Sequence, residues 1–307
     1  MDVAALAGGV GGAKLLVGLD RALSRSGTLT SIVNTGDDAT IYGTHVSPDV
    51  DIVTYWLAGL ADTDRGWGVK DDTFTVVDAL GALGIDSWFR LGDRDLATCM
   101  YRTARLEEGA SLTQITAEIA RALGVGPRIL PMSDDPIRTK VETTDGRVLD
   151  FQEYFVKERC EPDVSAISFA GLEDAKPTPS VLSALVAADT IVVCPSNPLL
   201  SIGPILSLPG IAECLRQHPR VVAVSPIVNG RALKGPADRL LSRLTDEASA
   251  SQVARLYASF CDVFVVDSSD PEEVEKIETL DIEVIATDTI MSDHDASERL
   301  ARVVLQL

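Results

Sequence analysis

Four aspartates stand in two neighbouring segments, Asp37 and Asp38 in Asn34-Thr35-Gly36-Asp37-Asp38 and Asp49 and Asp51 in Pro48-Asp49-Val50-Asp51. Paired carboxylates on loops suit a hard cation such as Mg2+, and an i, i+2 pair can aim both oxygens at one ion if the backbone turns there. Asp37 and Asp49 equally fit helix caps, a common use of aspartate after a loop. Upstream, an apolar run hands over to Gly8-Gly9-Val10-Gly11-Gly12-Ala13-Lys14. Glycines let a backbone approach phosphate closely, and the helix expected from Ala13 to Leu23 points free N–H groups at an anion. Lys14 occupies the third glycine position of a dinucleotide fingerprint, and Gly12-Ala13-Lys14 misses the adjacent Gly-Lys of a Walker loop. The alternative is a tight strand-to-helix turn without a ligand.

Trp67 and Lys70 in Gly66-Trp67-Gly68-Val69-Lys70, then Phe74, and Trp88-Phe89-Arg90, place aromatics beside cations in short Gly-containing segments. They form a candidate face for a flat heteroaromatic ring, or simply core. Cys194-Pro195-Ser196-Asn197-Pro198 ends a strand, because proline cannot extend a ladder. That leaves Ser196, Asn197 and Ser201 to cap or to bind a base, ribose or phosphate. His45, His218 and His294 lack helix-spaced ligands or a Ser or Cys partner, and the five cysteines show no C-x-x-C spacing. Chemistry by positioning and charge neutralisation remains, and phosphoryl transfer is of that kind.

The elements that must position these residues are legible as an alternation. Apolar, β-branched runs at 3–6, 31–33, 166–169, 190–194, 221–225, 263–266 and 282–286 are separated by helical stretches. This predicts an α/β fold with a mostly parallel, Rossmann-like sheet and helices on both faces. Residues 70–125 have helical periodicity and 128–155 read as a β-hairpin or meander around Asp145-Gly146. The expected organisation is a nucleotide-binding core of 1–69 and 160–307 with an inserted cap subdomain of 70–159. The net charge of −19 argues against attraction to nucleic acid or anionic membrane, and means that phosphate must be met by local counter-charge. Unpaired cysteines and the lack of a long apolar segment predict a cytoplasmic protein.

GGVGGAK, NTGDD, SPDVD, GWGVKDDTF, WFRLGDRDLAT, ILPMSDDPIRTKV, FQEYFV and PSNPLLSIGPIL, in this order over most of the chain, resemble the phospholactate (phosphoenolpyruvate) transferase family of coenzyme F-420 biosynthesis. The resemblance implies a homodimer that transfers a phospho-acid from its guanosine diphosphate adduct to the deazaflavin Fo, releasing GMP with the help of Mg2+. It assigns Asp37 and Asp51 first, and Asp38 and Asp49 second, as metal ligands, with Asp37 and Asp51 catalytic. Asp51 alternatively positions or deprotonates the Fo hydroxyl. By the same similarity Asp51, Trp67, Lys70, Phe89 and Arg90 line the Fo pocket. Gly9, Gly11, Gly12, Lys14, Ser196, Asn197 and Ser201 hold the donor.

A related group shares the GGxGG turn and the PSNP-like loop but regulates metabolism by binding a uridine nucleotide-sugar, without catalysis. GWG, DDTF and LGDRDLAT favour the enzyme over that regulator. A nicotinamide dehydrogenase is a third reading, opposed by the absent third glycine. Which acid is carried turns on few contacts, with His45, Arg138, Lys140 and Lys234 as candidates.

Overall fold

The computed structural model describes residues 1–24, 27–245 and 247–306. β1 (Asp2–Ala7) leads into α1 (Gly9–Leu23) and β2 (Thr28–Val33). A short hairpin, β3 (Ala39–Ile41) and β4 (Thr44–Val46), is followed by α2 (Pro48–Leu57), α3 (Thr75–Ala82), α4 (Asp93–Glu107), α5 (Leu112–Ala122) and β5 (Arg128–Pro131). Next come β6 (Arg138–Thr143), β7 (Val148–Asp150), β8 (Val164–Ala170), α6 (Pro179–Ala187) and β9 (Thr190–Val193). The remainder holds α7 (Gly203–Ser207), α8 (Ile211–Gln217), β10 (Val221–Val224), β11 (Ile227–Val228), β12 (Arg231–Ala232), α9 (Ala237–Leu244) and α10 (Ala250–Tyr257). β13 (Val263–Asp267), α11 (Pro271–Glu278), β14 (Glu283–Thr287) and α12 (His294–Gln306) complete it.

Seven strands in the order β14-β13-β10-β9-β1-β2-β5 form one parallel sheet. Its central strands β1, β9, β10 and β13 are largely apolar and buried because both faces are covered. Ala4 and Leu6 of β1 join Ile191 and Val193 of β9 in one core, sealed by Val181, Leu185, Ile211 and Leu215 from helices α6 and α8. Val3, Ala5 and Ala7 join Val192 in the other, under Leu15, Leu16 and Leu19 of α1 and Leu300 of α12. This period-two division between two helical layers bears out the expected α/β fold.

Two strands stand elsewhere than the sequence reading put them. β5, inside the span 70–159 set apart as an insertion, pairs with β2 and ends the central sheet. The run 166–169, read as a strand of that sheet, lies in β8 and pairs antiparallel with β6 in a separate sheet β7-β6-β8. The additions to the core therefore leave it twice, between β2 and β5 and again between β5 and α6. The hairpin around Asp145-Gly146 forms as read, with β6 and β7 antiparallel and Gly146 at φ +86°.

β1 sits between β2 and β9, so successive connections depart to opposite sides of it. The crevice above the carboxyl ends of β1 and β9 is a topological switch point, the place where open α/β sheets bind ligands. No single helix among the described residues is long and apolar enough to cross a membrane. The bent pair Pro198–Ser207 and Ile211–Gln217 is apolar because Ile202, Ile205, Ile211 and Leu215 fill the core.

Candidate active site

The glycine turn opens the crevice. Helix α1 begins at Gly9 rather than Ala13, with Gly8 extended before it at φ −164° and Gly9 left-handed at φ +62°. A side chain at Gly11 would collide with the Pro195 carbonyl, and one at Gly12 would stand 2.6 Å from Ser196 Oγ. These glycines let the start of α1 lie against the loop after β9. Ser196 locks the two together: its hydroxyl accepts from Gly8 N at 3.0 Å and donates to Gly8 O at 2.8 Å. Asn197 caps the turn at Pro198–Ile202, its Oδ1 accepting from Leu199 N and Leu200 N at 3.0 and 3.1 Å. Lys14 reaches sideways, donating to Met291 O at 2.7 Å and lying 5.8 Å from the Trp56 ring centre. Burial first, and then Lys234, lower the Lys14 ammonium below the usual lysine range.

Against this turn lie the four aspartates, all between 3% and 7% exposed. Asp49 Oδ1 accepts from Gly9 N at 2.7 Å, so a carboxylate of α2 meets the first N–H of α1. Asn34 Nδ2 bridges Asp49 Oδ2 at 2.9 Å and Asp37 Oδ1 at 3.3 Å, while Asn34 Oδ1 accepts from Gly36 N. Gln152 donates to Asp37 Oδ2 at 3.2 Å, and Ser201 bonds Asp49. Asp37 and Asp49 thus have only neutral hydrogen-bond donors among the described residues. Burial pushes the Asp49 carboxyl up to about 6. Burial, then the nearby Asp49 and Asp38, push Asp37 well above the carboxylate range.

Asp38 and Asp51 are placed differently, each against a basic side chain. His45 Nε2 lies 2.8 Å from Asp38 Oδ2, and Ser47 donates to Asp38 Oδ1 at 2.6 Å. Asp51 Oδ1 accepts from Arg102 of α4 in an ion pair whose arginine side chain is 1% exposed. Asp51 Oδ2 has no partner among the described residues, and neither do the hydroxyls of Thr35 and Thr139 at the same centre. Buried polar atoms without partners cost stability unless something else binds them.

Two sets of groups compete for a cation. Oxygens of Asp51 and Asp95 with Cys99 Sγ lie within 4.8 Å of one another. The Arg102 guanidinium already serves that set, and burial raises the thiol so that it stays protonated. It does not fit a metal. Asp37 and Asp49, buried together on neutral hydrogen-bond donors beside a phosphate-type turn, do fit a hard divalent ion. The sequence ranks Asp51 above Asp49 as a ligand; in the structure Arg102 takes Asp51 Oδ1, and Asp51 Oδ2 has no partner among the described residues.

The aromatic segments form one wall. Trp67 and Phe74 meet edge-on at 6.1 Å, Arg65 lies 5.1 Å from each ring, and Arg90 lies 4.8 Å from Phe74. Trp67 is 42% exposed and so open to a ligand. Phe89 is half-buried, and its carbonyl accepts from Tyr42 at 2.6 Å. Lys70 is exposed, and its carbonyl accepts from Arg94 at 3.3 Å. A side chain added at Gly68 would come 3.8 Å from Asp95 Oδ2, which ties the wall to the Asp51 cluster.

Residues 3–305 match the family model described as 2-phospho-L-lactate transferase CofD. The chain belongs to the CofD family. A 2-phospho-L-lactate transferase from Methanosarcina mazei is 40% identical over 97% of this chain and 98% of its own. A phosphoenolpyruvate transferase from Streptomyces griseus is 43% identical over 100% of this chain and 98% of its own. A crystal structure of a UPF0052-family protein from Bacillus halodurans shares the fold, with a TM-score of 0.65, 19% identity and coverage of 99% and 98% of the two chains. As a CofD-family member the protein is a transferase of phospho-acid groups in coenzyme F-420 biosynthesis.

Within this CofD-family site, Asn34, Thr35, Thr139, Gln152, Asp95 and Arg102 were not singled out from the sequence. Asn34 and Thr35 lie inside NTGDD itself, Thr139 inside ILPMSDDPIRTKV, Gln152 inside FQEYFV and Asp95 inside WFRLGDRDLAT. Asp95 and Arg102 carried a weaker signal, since both fall on the α4 stripe that buries Leu96 and Cys99. Of the candidates for acid recognition, Lys140 is committed to Asp150 at 2.6 Å and His45 to Asp38. Arg138 remains near Asp37, and Lys234 reaches the Gly66 backbone.

Proposed function

We propose that the protein transfers 2-phospho-L-lactate, phosphoenolpyruvate or 3-phosphoglycerate from its guanosine diphosphate adduct to the 5′-hydroxyl of Fo. GMP is released, and coenzyme F-420-0 or its dehydro form results. The division of the acidic centre carries this reading: Asp37 and Asp49 on neutral hydrogen-bond donors beside the glycine turn, and Asp51 on Arg102 with one buried oxygen unpartnered. Asp37 and Asp49 would hold Mg2+, with Asp38 behind them on His45 and Ser47. The bound ion supplies neutralisation of charge on the diphosphate and on the departing GMP.

The chain's own residues do the positioning. The α1 N-terminus and the loop of Ser196, Asn197 and Ser201 receive the donor, with Gly9, Gly11 and Gly12 allowing close approach and Lys14 and Lys234 adding positive charge. Trp67, Lys70, Phe89 and Arg90 line the deazaflavin. Asp51 Oδ2 accepts the hydrogen bond of the ribityl hydroxyl and turns its lone pair toward the phosphorus that bears the acid. That proton passes to Asp51 as the new P–O bond forms and the P–O bond to GMP breaks. Relatives named for two different acids match at 40% and 43% identity, so overall similarity does not choose the acid.

Titration with Fo, followed by deazaflavin fluorescence, tests the acceptor side, and GMP release from each guanylylated acid tests the donor side. Saturable Fo binding with GMP release is the expected result. Uptake of a uridine nucleotide-sugar without Fo binding would replace the transferase reading with that of a ligand-sensing regulator. The reading includes a cytoplasmic homodimer, and light scattering checks the dimer.

A further inference from the structure

We infer that Arg102 is a positioning residue that fixes Asp51 for the acceptor hydroxyl, and that helix α4 sets that carboxylate and the aromatic wall in one frame. The inference rests on the role proposed for Asp51 above. Arg102 is 1% exposed, and its guanidinium bonds Asp51 Oδ1 and donates to His45 O at 3.1 Å. One residue of α4 therefore grips both α2 and β4. The guanidinium holds Asp51 Oδ1 through one nitrogen and His45 O through another, which leaves Asp51 Oδ2 and Arg102 Nε as buried polar atoms without partners among the described residues.

The other end of the same helix fastens the wall. Asp95, on the α4 face that carries Cys99 and Arg102, accepts from the Tyr55 hydroxyl at 2.8 Å. Tyr55 stands one turn after Asp51 on α2. Asp72, from the segment between Trp67 and Phe74, accepts from Arg94 N and Asp95 N at the start of α4. Asp93 receives Thr73, Thr75 and Val76. From Asp95 to Arg102 the helix rises about 10 Å, so a rigid element joins the ring-binding wall to the carboxylate that meets the other end of the acceptor. The pair thus sits on the same helix that ties down the ligand wall, with one Asp51 oxygen left unpartnered.

The test is a cycle of R102K, R102M, D51N and D51N/R102M. Each variant is measured for kcat, for KM of both substrates, for Fo affinity by fluorescence and for Tm. R102K keeps the charge and changes the donor geometry; the double variant removes both charges together. R102M is expected to lower kcat roughly 100-fold, the cost of misplacing a reacting group by about an ångström, with Fo affinity little changed. R102K should recover part of that loss. In the D51N background R102M should cost no further turnover, because its effect passes through Asp51. An equal loss in both backgrounds, or R102K at full turnover with R102M merely lowering Tm, would overturn the inference and leave the Asp51 role intact. D51N at wild-type turnover would overturn the Asp51 role itself.

Discussion

Asn34 holds the acidic centre together through one amide. Its nitrogen serves Asp37 and Asp49, and its oxygen takes the Gly36 N–H that shapes the turn before them. Asn34→Ala leaves two buried carboxylates short of a donor, and such losses cost about 1–3 kcal/mol each, so urea unfolding should show a loss of about 2–6 kcal/mol. Asp37 and Asp49 share a different liability, since both are buried with only neutral hydrogen-bond donors among the described residues. Mg2+ is therefore expected to raise the Tm of the wild type and to leave Asp37→Asn and Asp49→Asn unmoved, as scanning fluorimetry would record. A proton and the cation compete for the same oxygens, and Asp49 takes its proton at about 6. Mg2+ affinity measured by calorimetry should accordingly increase from about pH 6 to about pH 8. Equal affinity at both would mean the ion sits elsewhere.

The loop after β9 and the first turn of α1 act as one element. Asn197 caps the Pro198–Ile202 turn that carries Ser201 to Asp49. Asn197→Ala should lower stability by about 1 kcal/mol, as lost caps do, and raise KM for the guanylylated donor while sparing Fo affinity. The reverse kinetic pattern would exchange the two pockets. Farther along α1, a side chain at Gly18 would run into the Ser297 carbonyl of α12. Backbone cannot yield as a flexible side chain does, so Gly18→Ala should cost about 1–3 kcal/mol, visible in Tm, with turnover per folded molecule unaltered. A neutral result would show that the two helices are free to separate.

Buried acids also set how the whole molecule responds to pH. Burial raises Asp49 to about 6, Asp95 to about 7, and Asp37 well above its unfolded value of 3.8. Between 3.8 and those values the native state binds more protons than the unfolded chain, so their contribution is full at the acid end and is lost as pH rises through about 6 to about 7. The net charge of −19 weakens the compact state in the same direction as acids ionise. The metal-free protein should thus melt at lower temperature at about pH 8 than at about pH 6, and Mg2+ should narrow the gap. A Tm that climbs across this range would show the acids to be ionised and neutralised in some other way.

Strand identity, the glycine turn and the acidic segments were legible in the sequence because they follow from local chemistry. An apolar β-branched run needs two covered faces, and proline is kept to strand ends and edges, as at Pro195 after β9 and Pro131 at the end of edge strand β5. Pairing partners are a different matter. The run 166–169 and β5 are both short extended segments, and only the packing of the rest of the chain sends one to the small antiparallel sheet and the other to the edge of the central one. The acidic centre shows the same limit. Sequence spacing placed four aspartates near a phosphate-type turn, but it could not say which of them pair with arginine or histidine and which accept only from neutral amides and hydroxyls. Arg102 lies far from Asp51 along the chain, and a carboxylate's chemistry depends on the charge that faces it across space.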